Sequence, residues 1–198
     1  MGVESPRLYA ADTLRGTLIS QYGTEDVVVG HIYADRCLAR NPAVCGCGLG
    51  TMGYGFPAAI GAQVAFPNKL VIDIAGDGSI QMNIQEMATA VQNKLPVKIV
   101  ILNNTYLGMV RQWQTLFFNK HYSNTILDRK TDFVALARAF GADGEAVDTV
   151  AALDKAFEHA FSCDGPYVID CRIDKDEFVL PMLPPGGSMD DIIMKVGE

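Results

Sequence analysis

The 198-residue sequence lacks the features that mark several classes of protein. It has 16 lysine and arginine residues against 23 acidic ones, a formal net charge of −7, and its basic residues form no run. This charge argues against nucleic acid as a partner. No apolar run approaches the ~20 residues that a membrane span needs, and no basic stretch precedes an apolar one near residue 1. We therefore expect a cytoplasmic protein that does not associate with a membrane.

The cysteines form neither a clear metal site nor a disulfide framework. Their number is odd and they include no Cys-x-x-Cys pair; they are Cys37, Cys45, Cys47, Cys163 and Cys171. Cys45 and Cys47 could chelate a metal, but no nearby histidine and cysteine residues complete a set of four ligands. We interpret all five as reduced thiols.

Apolar runs that suit buried strands alternate with segments that suit helices, which is the pattern of a parallel α/β sheet. Strands are predicted at residues 27–29, 70–75, 97–102 and 167–173, and helices at 9–21, 57–66, 83–93, 107–117, 131–140 and 150–161. Three prolines and two glycines in residues 180–187 disfavour regular structure there. We predict a doubly wound, mostly parallel sheet flanked by helices in residues 1–179, and a tail that covers the site in residues 180–198.

Polar residues follow two of the predicted strands at their carboxyl ends, where open parallel sheets bind ligands. These are Gly76-Asp77-Gly78-Ser79 and Asn103-Asn104. One loop, one helix and one strand fit between them, so a right-handed crossover brings Asp77 and Asn104 to the same edge. A carboxylate and an amide oxygen suit Mg²⁺, whose remaining ligands are commonly phosphate oxygens and water.

The same pattern, Gly-Asp-Gly-Ser followed after a helix and a strand by Asn-Asn, resembles that of the thiamine-diphosphate enzymes. Longer matches resemble the catalytic subunit of acetohydroxyacid synthase, also called acetolactate synthase; they lie at residues 48–61, 81–86, 103–113 and 179–187. This resemblance implies a domain that binds thiamine diphosphate and Mg²⁺. It also implies that Asp77, Asn104 and the backbone carbonyl of Tyr106 bind the metal.

Further residues acquire cofactor roles through the resemblance. Met52 is expected beneath the thiamine, where it helps to hold the bent cofactor conformation. Diphosphate or other cofactor contacts are expected from Gly50, Gly76, Gly78, Ser79, Asn104, Met109 and His31. His31 lies in the run that begins at Gly30 and replaces the Gly-Gln-His-Gln-Met-Trp-like run usual in the family.

The substrate side is assigned by the resemblance to Met109, Val110 and Trp113, where the family sets its preference for the second 2-ketoacid. By spacing alone, Met109 and Trp113 share one helical face and could equally belong to a core or an interface. Arg111 and Gln112 are predicted to be solvated. Glu86 is predicted to be an exposed or first-turn helix residue and not a catalytic glutamate.

The resemblance also indicates what this sequence does not supply. The family activates the cofactor with a glutamate from a separate pyrimidine-binding domain, and FAD is associated with a middle domain; neither has a counterpart here. No catalytic residue is therefore assigned, FAD is not expected, and the chain on its own is expected to be inactive. A partner pyrimidine-binding domain or subunit and a homo-oligomer are expected.

Three alternative functions remain at this point. The chain could be the small chain of a two-subunit 2-ketoacid decarboxylase, or a cofactor-binding or merely folded fragment without turnover. A third alternative is a dinucleotide site, because Gly48, Gly50 and Gly53 match a Gly-x-Gly-x-x-Gly fingerprint. That fingerprint is disfavoured because the strand before it is very short and Asp73, its candidate ribose acid, lies inside a predicted strand.

Overall fold

Five parallel strands form one sheet in the computed structural model, which describes residues 27–30 (backbone only), 51–127 and 130–195. The strands are β1 (Val27–Gly30), β2 (Leu70–Gly76), β3 (Lys98–Asn103), β4 (Asp143–Val147) and β5 (Tyr167–Arg172). Their order across the sheet is β1-β2-β3-β5-β4, and every neighbouring pair is parallel. The predicted α/β fold is confirmed.

Helices cover both faces of this sheet. They are α1 (Gly55–Ala65), α2 (Asp77–Ile80), α3 (Met87–Gln92), α4 (Gly108–Phe117), α5 (Phe133–Phe140) and α6 (Val150–Ser162). Short 3₁₀ turns occur at Ile84–Glu86 and Met189–Asp191. The predicted helix at residues 9–21 lies outside the described residues, as do His31, Gly50, Cys37, Cys45 and Cys47.

The alternation of side chains along each strand divides the core into two layers. Val71 and Ala75 of β2 belong to the layer that contains Phe56 of α1. The intervening Ile72 belongs to the opposite layer, with Phe157 of α6. Because both faces of the strand are covered by helices, its sequence is almost continuously apolar.

The pairing of β2 with β3 positions the candidate site. Gly76, the last residue of β2, is in register with Leu102 near the end of β3. The chain therefore leaves the sheet at Asp77 and at Asn104 along the same edge. Because both strands are parallel, this is the carboxyl edge where the sequence places its polar residues.

Three details of the predicted secondary structure are wrong. The loop expected at residues 76–78 instead begins the one-turn helix α2 at Asp77. The helix expected across residues 83–93 is divided into the 3₁₀ turn and α3. Strand β4 was not predicted because its sequence, Asp-Gly-Glu-Ala-Val, has neither an apolar run nor β-branched residues before Val147. It forms the edge of the sheet, where only one neighbour is needed.

The described part of the tail adds no strand to the sheet. Met182 and Ile193 form an isolated antiparallel bridge within it. Among the described residues, no helix combines the length and the apolar character that crossing a bilayer would require.

Candidate functional site

Asp77 lies at the start of α2 and is only 3 % exposed. Its carboxylate lies near backbone N–H groups that favour its ionised form, including those of Gly78 and Asn104. Burial nevertheless raises the pKa of Asp77 to about 6, because the lost hydration outweighs the effect of these N–H groups and the charge of Asp170 adds to it. A cation beside this carboxylate would favour its ionised form.

The turn after β3 is held in a strained conformation. The Oδ1 atom of Asn104 accepts a hydrogen bond from the Tyr106 N–H at 2.9 Å. Thr105 between them has φ of +60°, which is unusual for a β-branched residue. Two backbone hydrogen bonds of 2.7 and 2.8 Å tie this turn to residues 125–127. They use the Thr105 carbonyl and the Leu107 N–H, and so spare the Tyr106 carbonyl. Such strain is concentrated at functional sites.

These oxygens fit a magnesium ion that shares a phosphate ligand. The Asp77 carboxylate, the second lone pair of the Asn104 amide oxygen and the Tyr106 carbonyl are all hard oxygen donors. Within the described ranges, no group of three or more His, Cys, Asp and Glu side chains could hold a metal alone. Beside them, a Cβ added at Gly76 would meet nothing within 4 Å. The edge therefore offers open space for an anionic ligand beside these three oxygen donors.

The glycine loop before α1 is fixed to the turn after β2. The Gly53 N–H donates to the Ser79 hydroxyl at 3.0 Å, and the Asn83 side-chain amide donates to the Gly53 carbonyl at 2.6 Å. Gly53 has φ of +83°, and a Cβ there would lie 2.7 Å from Asn83 Nδ2. Asn83 thus has a role that sequence reasoning missed, although it lies in the matching segment 81–86.

Met52 lies directly over the same turn. A Cβ on Gly78 would come within 3.0–3.2 Å of the side-chain tips of Leu127, Leu107 and Met52. The absence of a side chain at Gly78 therefore accommodates apolar packing as well as any ligand. The predicted cofactor residues Met52, Gly78 and Ser79 are brought together, and their contacts with the cofactor stay predictions.

The predicted substrate residues line one open groove on α4. Met109, Val110 and Trp113 form this groove together with residues 117–118, and its volume is about 650 Å³. The Trp113 ring meets the Phe117 ring edge-to-face, with centroids 5.6 Å apart. Trp113 is 38 % exposed, so the core alternative for this helix face is wrong. Gly108, the first residue of α4, lies against the Asn104 side chain, so the groove lies on the helix that follows the Asn104–Tyr106 turn.

The prediction that Arg111 and Gln112 are solvated is wrong. Arg111 is 7 % exposed and Gln112 is 2 % exposed. Arg111 forms an ion pair with Asp176, and Gln112 exchanges two hydrogen bonds with the backbone of Val179. Polar side chains could be buried here because α4 is covered by the segment after β5, a contact that the local helical pattern does not reveal.

Glu86 is partly buried at the end of the 3₁₀ turn, and its Oε2 accepts a hydrogen bond from Thr89 Oγ1 at 3.0 Å. Asp73 lies inside β2 and is fully buried. Asp73 therefore sits in the middle of a strand and not at the strand end where a ribose-binding acid would stand. This position argues further against a dinucleotide site.

Comparison with known proteins gives a consistent set of similarities. Residues 29–171 match the family model described as "Thiamine pyrophosphate enzyme, C-terminal TPP binding domain". The chain is 48 % identical over 176 residues to the large subunit of acetolactate synthase isozyme 2 from Escherichia coli (strain K12). It is also 48 % identical over 156 residues to the mitochondrial catalytic subunit of acetolactate synthase from Saccharomyces cerevisiae.

A solved structure shares the fold. The chain superposes on the thiamine diphosphate-dependent 4-hydroxybenzoylformate decarboxylase of Rhodococcus jostii RHA1 with a TM-score of 0.72 and 30 % identity. This match covers 83 % of the chain and 32 % of the decarboxylase. The two synthase matches cover 87 % and 78 % of the chain, and 32 % and 23 % of the relatives. The chain therefore spans about a third or less of the proteins that it matches.

Proposed function

Since the chain belongs to the thiamine pyrophosphate enzymes, as the C-terminal TPP-binding domain of acetolactate synthase, we propose that it holds the cofactor pyrophosphate together with Mg²⁺. The observation that carries this proposal is the pairing of Gly76 with Leu102, because it brings the chain out of the sheet at Asp77 and at Asn104 along the same carboxyl edge. Asp77, Asn104 and the Tyr106 carbonyl would bind the metal. Ser79 and the backbone around Gly76 would contact the pyrophosphate.

The Ser79 hydroxyl suits this role because it already accepts a hydrogen bond from Gly53. A hydroxyl accepts and donates at the same time, so its own hydrogen is available to a phosphate oxygen. The net charge of −7 supplies no general attraction for an anion. The pyrophosphate must therefore be held locally, by the metal and by N–H groups at the start of α2.

Bound thiamine pyrophosphate supplies the chemistry that decarboxylates a 2-ketoacid and joins the remaining fragment to a second 2-ketoacid. The chain contributes binding and orientation. Met52, packed over Gly78, presents an apolar surface on which the cofactor would rest. We propose that the groove of Met109, Val110 and Trp113 receives the side chain of the second 2-ketoacid, because its lining is mostly apolar.

The complete reaction requires a second domain. We propose that a pyrimidine-binding domain or subunit supplies the carboxylate that bonds the cofactor pyrimidine, in a homo-oligomer, and that FAD is not bound by this chain. Glu86 does not fill that role, because its carboxylate accepts a hydrogen bond from Thr89 in the first turn of α3. The length of the relatives supports this proposal, since at least two thirds of each lies beyond the match.

A second candidate is a 2-ketoacid decarboxylase, which the fold match to the Rhodococcus jostii decarboxylase favours. We rank it lower because identity to the acetolactate synthases is 48 %, against 30 % to the decarboxylase. The products distinguish the two candidates. A decarboxylase releases an aldehyde, whereas the synthase forms acetolactate from two molecules of pyruvate.

The test is an acetolactate assay with pyruvate, thiamine pyrophosphate and Mg²⁺. We expect no turnover by this chain alone, and acetolactate formation when the partner domain is present, covalently or as an added subunit. Acetaldehyde as the main product would favour the decarboxylase. Turnover by the chain alone, with contaminating enzyme excluded, would show that it contains a carboxylate that has been misassigned.

A further inference from the structure

Arg111 joins four separate parts of the chain around one buried guanidinium group. Its Nε donates to Asp176 Oδ1 at 2.8 Å, in the segment after β5. Its guanidinium carbon lies 4.8 Å from the centroid of the Tyr106 ring and 4.2 Å from that of the Tyr122 ring. Arg111 itself belongs to α4. One side chain therefore connects the Asn104–Tyr106 turn (the proposed metal turn), the groove on α4, the loop after α4 and the segment that leads to the tail.

The contact with Tyr106 bears on the metal turn directly. Tyr106 contributes its N–H to the Asn104 amide oxygen at 2.9 Å, and its carbonyl is the third proposed metal ligand. The preceding residue, Thr105, has a positive φ that the rest of the structure must maintain. A clamped Tyr106 ring restrains the backbone of the same residue, and so restrains the turn.

The chemistry of this contact requires arginine. A guanidinium group is planar, so it stacks on aromatic rings while its edge donates to a carboxylate. Thr115 completes the arrangement, because its hydroxyl donates to the Arg111 carbonyl at 2.9 Å and lies 3.1 Å from the Tyr122 hydroxyl. A lysine ammonium could keep the charge of Arg111 but has no flat face to hold two rings.

We propose that Arg111 is a positioning residue for the metal site. Its guanidinium group lies over the Tyr106 ring and so fixes the Asn104–Tyr106 turn. Asp176 acts through Arg111 by anchoring and neutralising its charge. This inference rests on the proposed function, because it takes the turn to be the place where Mg²⁺ binds with the cofactor pyrophosphate. Residues that contact the metal ligands without binding the metal themselves commonly change metal affinity 10- to 100-fold.

The test measures the affinity of the protein for Mn²⁺, a paramagnetic substitute for Mg²⁺, by electron paramagnetic resonance in the presence of thiamine pyrophosphate. It uses the intact protein together with its partner domain. We expect Arg111→Lys and Tyr106→Leu each to weaken Mn²⁺ binding by about tenfold or more. The double variant should bind Mn²⁺ no more weakly than the more weakly binding of the two single variants, because both changes remove the same contact.

Gln112→Leu is the matched control. Gln112 is as buried as Arg111 and holds the same C-terminal segment through Val179, but none of its hydrogen bonds reaches the metal turn. We expect this variant to lower stability and to leave Mn²⁺ affinity within about twofold. Equal weakening by Gln112→Leu would overturn the inference, since general loosening of α4 would then explain the effect.

Other outcomes also decide the matter. If Arg111→Lys does not fold, Tyr106→Leu carries the test, because Tyr106 is only partly buried. Unchanged Mn²⁺ affinity in a folded Tyr106→Leu variant would overturn the inference while leaving the proposed function intact. Failure of the unmutated protein to bind Mn²⁺ with thiamine pyrophosphate would contradict the proposed function and this inference with it.

Discussion

The backbone N–H of Gly53 donates a hydrogen bond to the hydroxyl of Ser79 at 3.0 Å, and so joins the glycine loop to the turn after β2. The Asn83 side chain holds the Gly53 carbonyl from the other side at 2.6 Å. These two contacts keep Gly53 in its left-handed conformation, with φ of +83°. Met52 is the residue before Gly53, so the same contacts set the position of the proposed cofactor platform.

We expect Asn83→Ala to lower the free energy of unfolding by about 1 kcal/mol, because one side-chain hydrogen bond to a partly buried carbonyl is lost. Gly53→Ala should cost more, about 1–3 kcal/mol, since φ of +83° is strained for alanine and the new Cβ would meet Asn83 Nδ2 at 2.7 Å. Urea unfolding of each variant measures both effects. Gly61→Ala is the control, since a Cβ there meets nothing within 4 Å. A Gly53→Ala variant no less stable than this control would refute the account of the loop.

Trp113→Leu is expected to change substrate choice more than stability. Trp113 is 38 % exposed on the groove, so its truncation should cost less than about 1 kcal/mol of folding free energy. When the complete enzyme is supplied with both pyruvate and 2-ketobutyrate as second substrates, the ratio of the two products should change. Val64→Ala, an exposed apolar residue on α1, is the matched control. A large loss of stability with an unchanged product ratio would return Trp113 to a structural role.

Asp73 gives a prediction about pH. It is 0 % exposed, neither carboxylate oxygen has a hydrogen-bond partner among the described residues, and burial raises its pKa from 3.8 to about 7. Between these pH values the folded state therefore holds a proton that the unfolded chain has lost. Through this group, the free energy of unfolding falls as pH rises from about 4 to 7, by up to roughly 4 kcal/mol.

Asp73→Asn removes that titration. We expect the difference in unfolding free energy between variant and parent to move in favour of the variant as pH rises from 5 to 8. Urea unfolding at several pH values measures it, and subtraction of the parent cancels the other carboxylates, including Asp77 and Asp170, whose pKa values burial also raises. A difference that is constant across this range would contradict the raised pKa.

The sequence was sufficient to predict those elements whose own residues form a recognisable pattern of apolar and polar positions. The apolar runs of β2 and β3 predicted two neighbouring parallel strands, and the polar residues after them predicted which edge would form a site. Their agreement with the structure follows from physics that is local to each strand, together with the right-handed crossover. Asp77 and Asn104 were brought together for this reason.

Features that depend on distant segments were not predicted. Arg111 was expected to be solvated because a helical pattern shows which face is polar but not that Asp176, 65 positions later, will cover and neutralise it. Gln112 was misassigned for the same reason, since its partner is Val179. The edge strand β4 has little apolar signal, because pairing with β5 holds it. Burial of a polar side chain by a distant segment therefore leaves no signal in the local sequence.

The most direct test of the account is whether Asp77 is needed for stabilisation by the cofactor and Mg²⁺. Thermal or urea unfolding would be measured with and without thiamine pyrophosphate plus Mg²⁺, for the parent, for Asp77→Ala and for the exposed control Asp190→Ala. At a hundred times the dissociation constant, a ligand raises the free energy of unfolding by ~2.7 kcal/mol. We predict that the parent and Asp190→Ala show this increase, and that the increase depends on Mg²⁺. We predict that Asp77→Ala does not show it. An undiminished increase in the Asp77→Ala variant would contradict the assignment of the site.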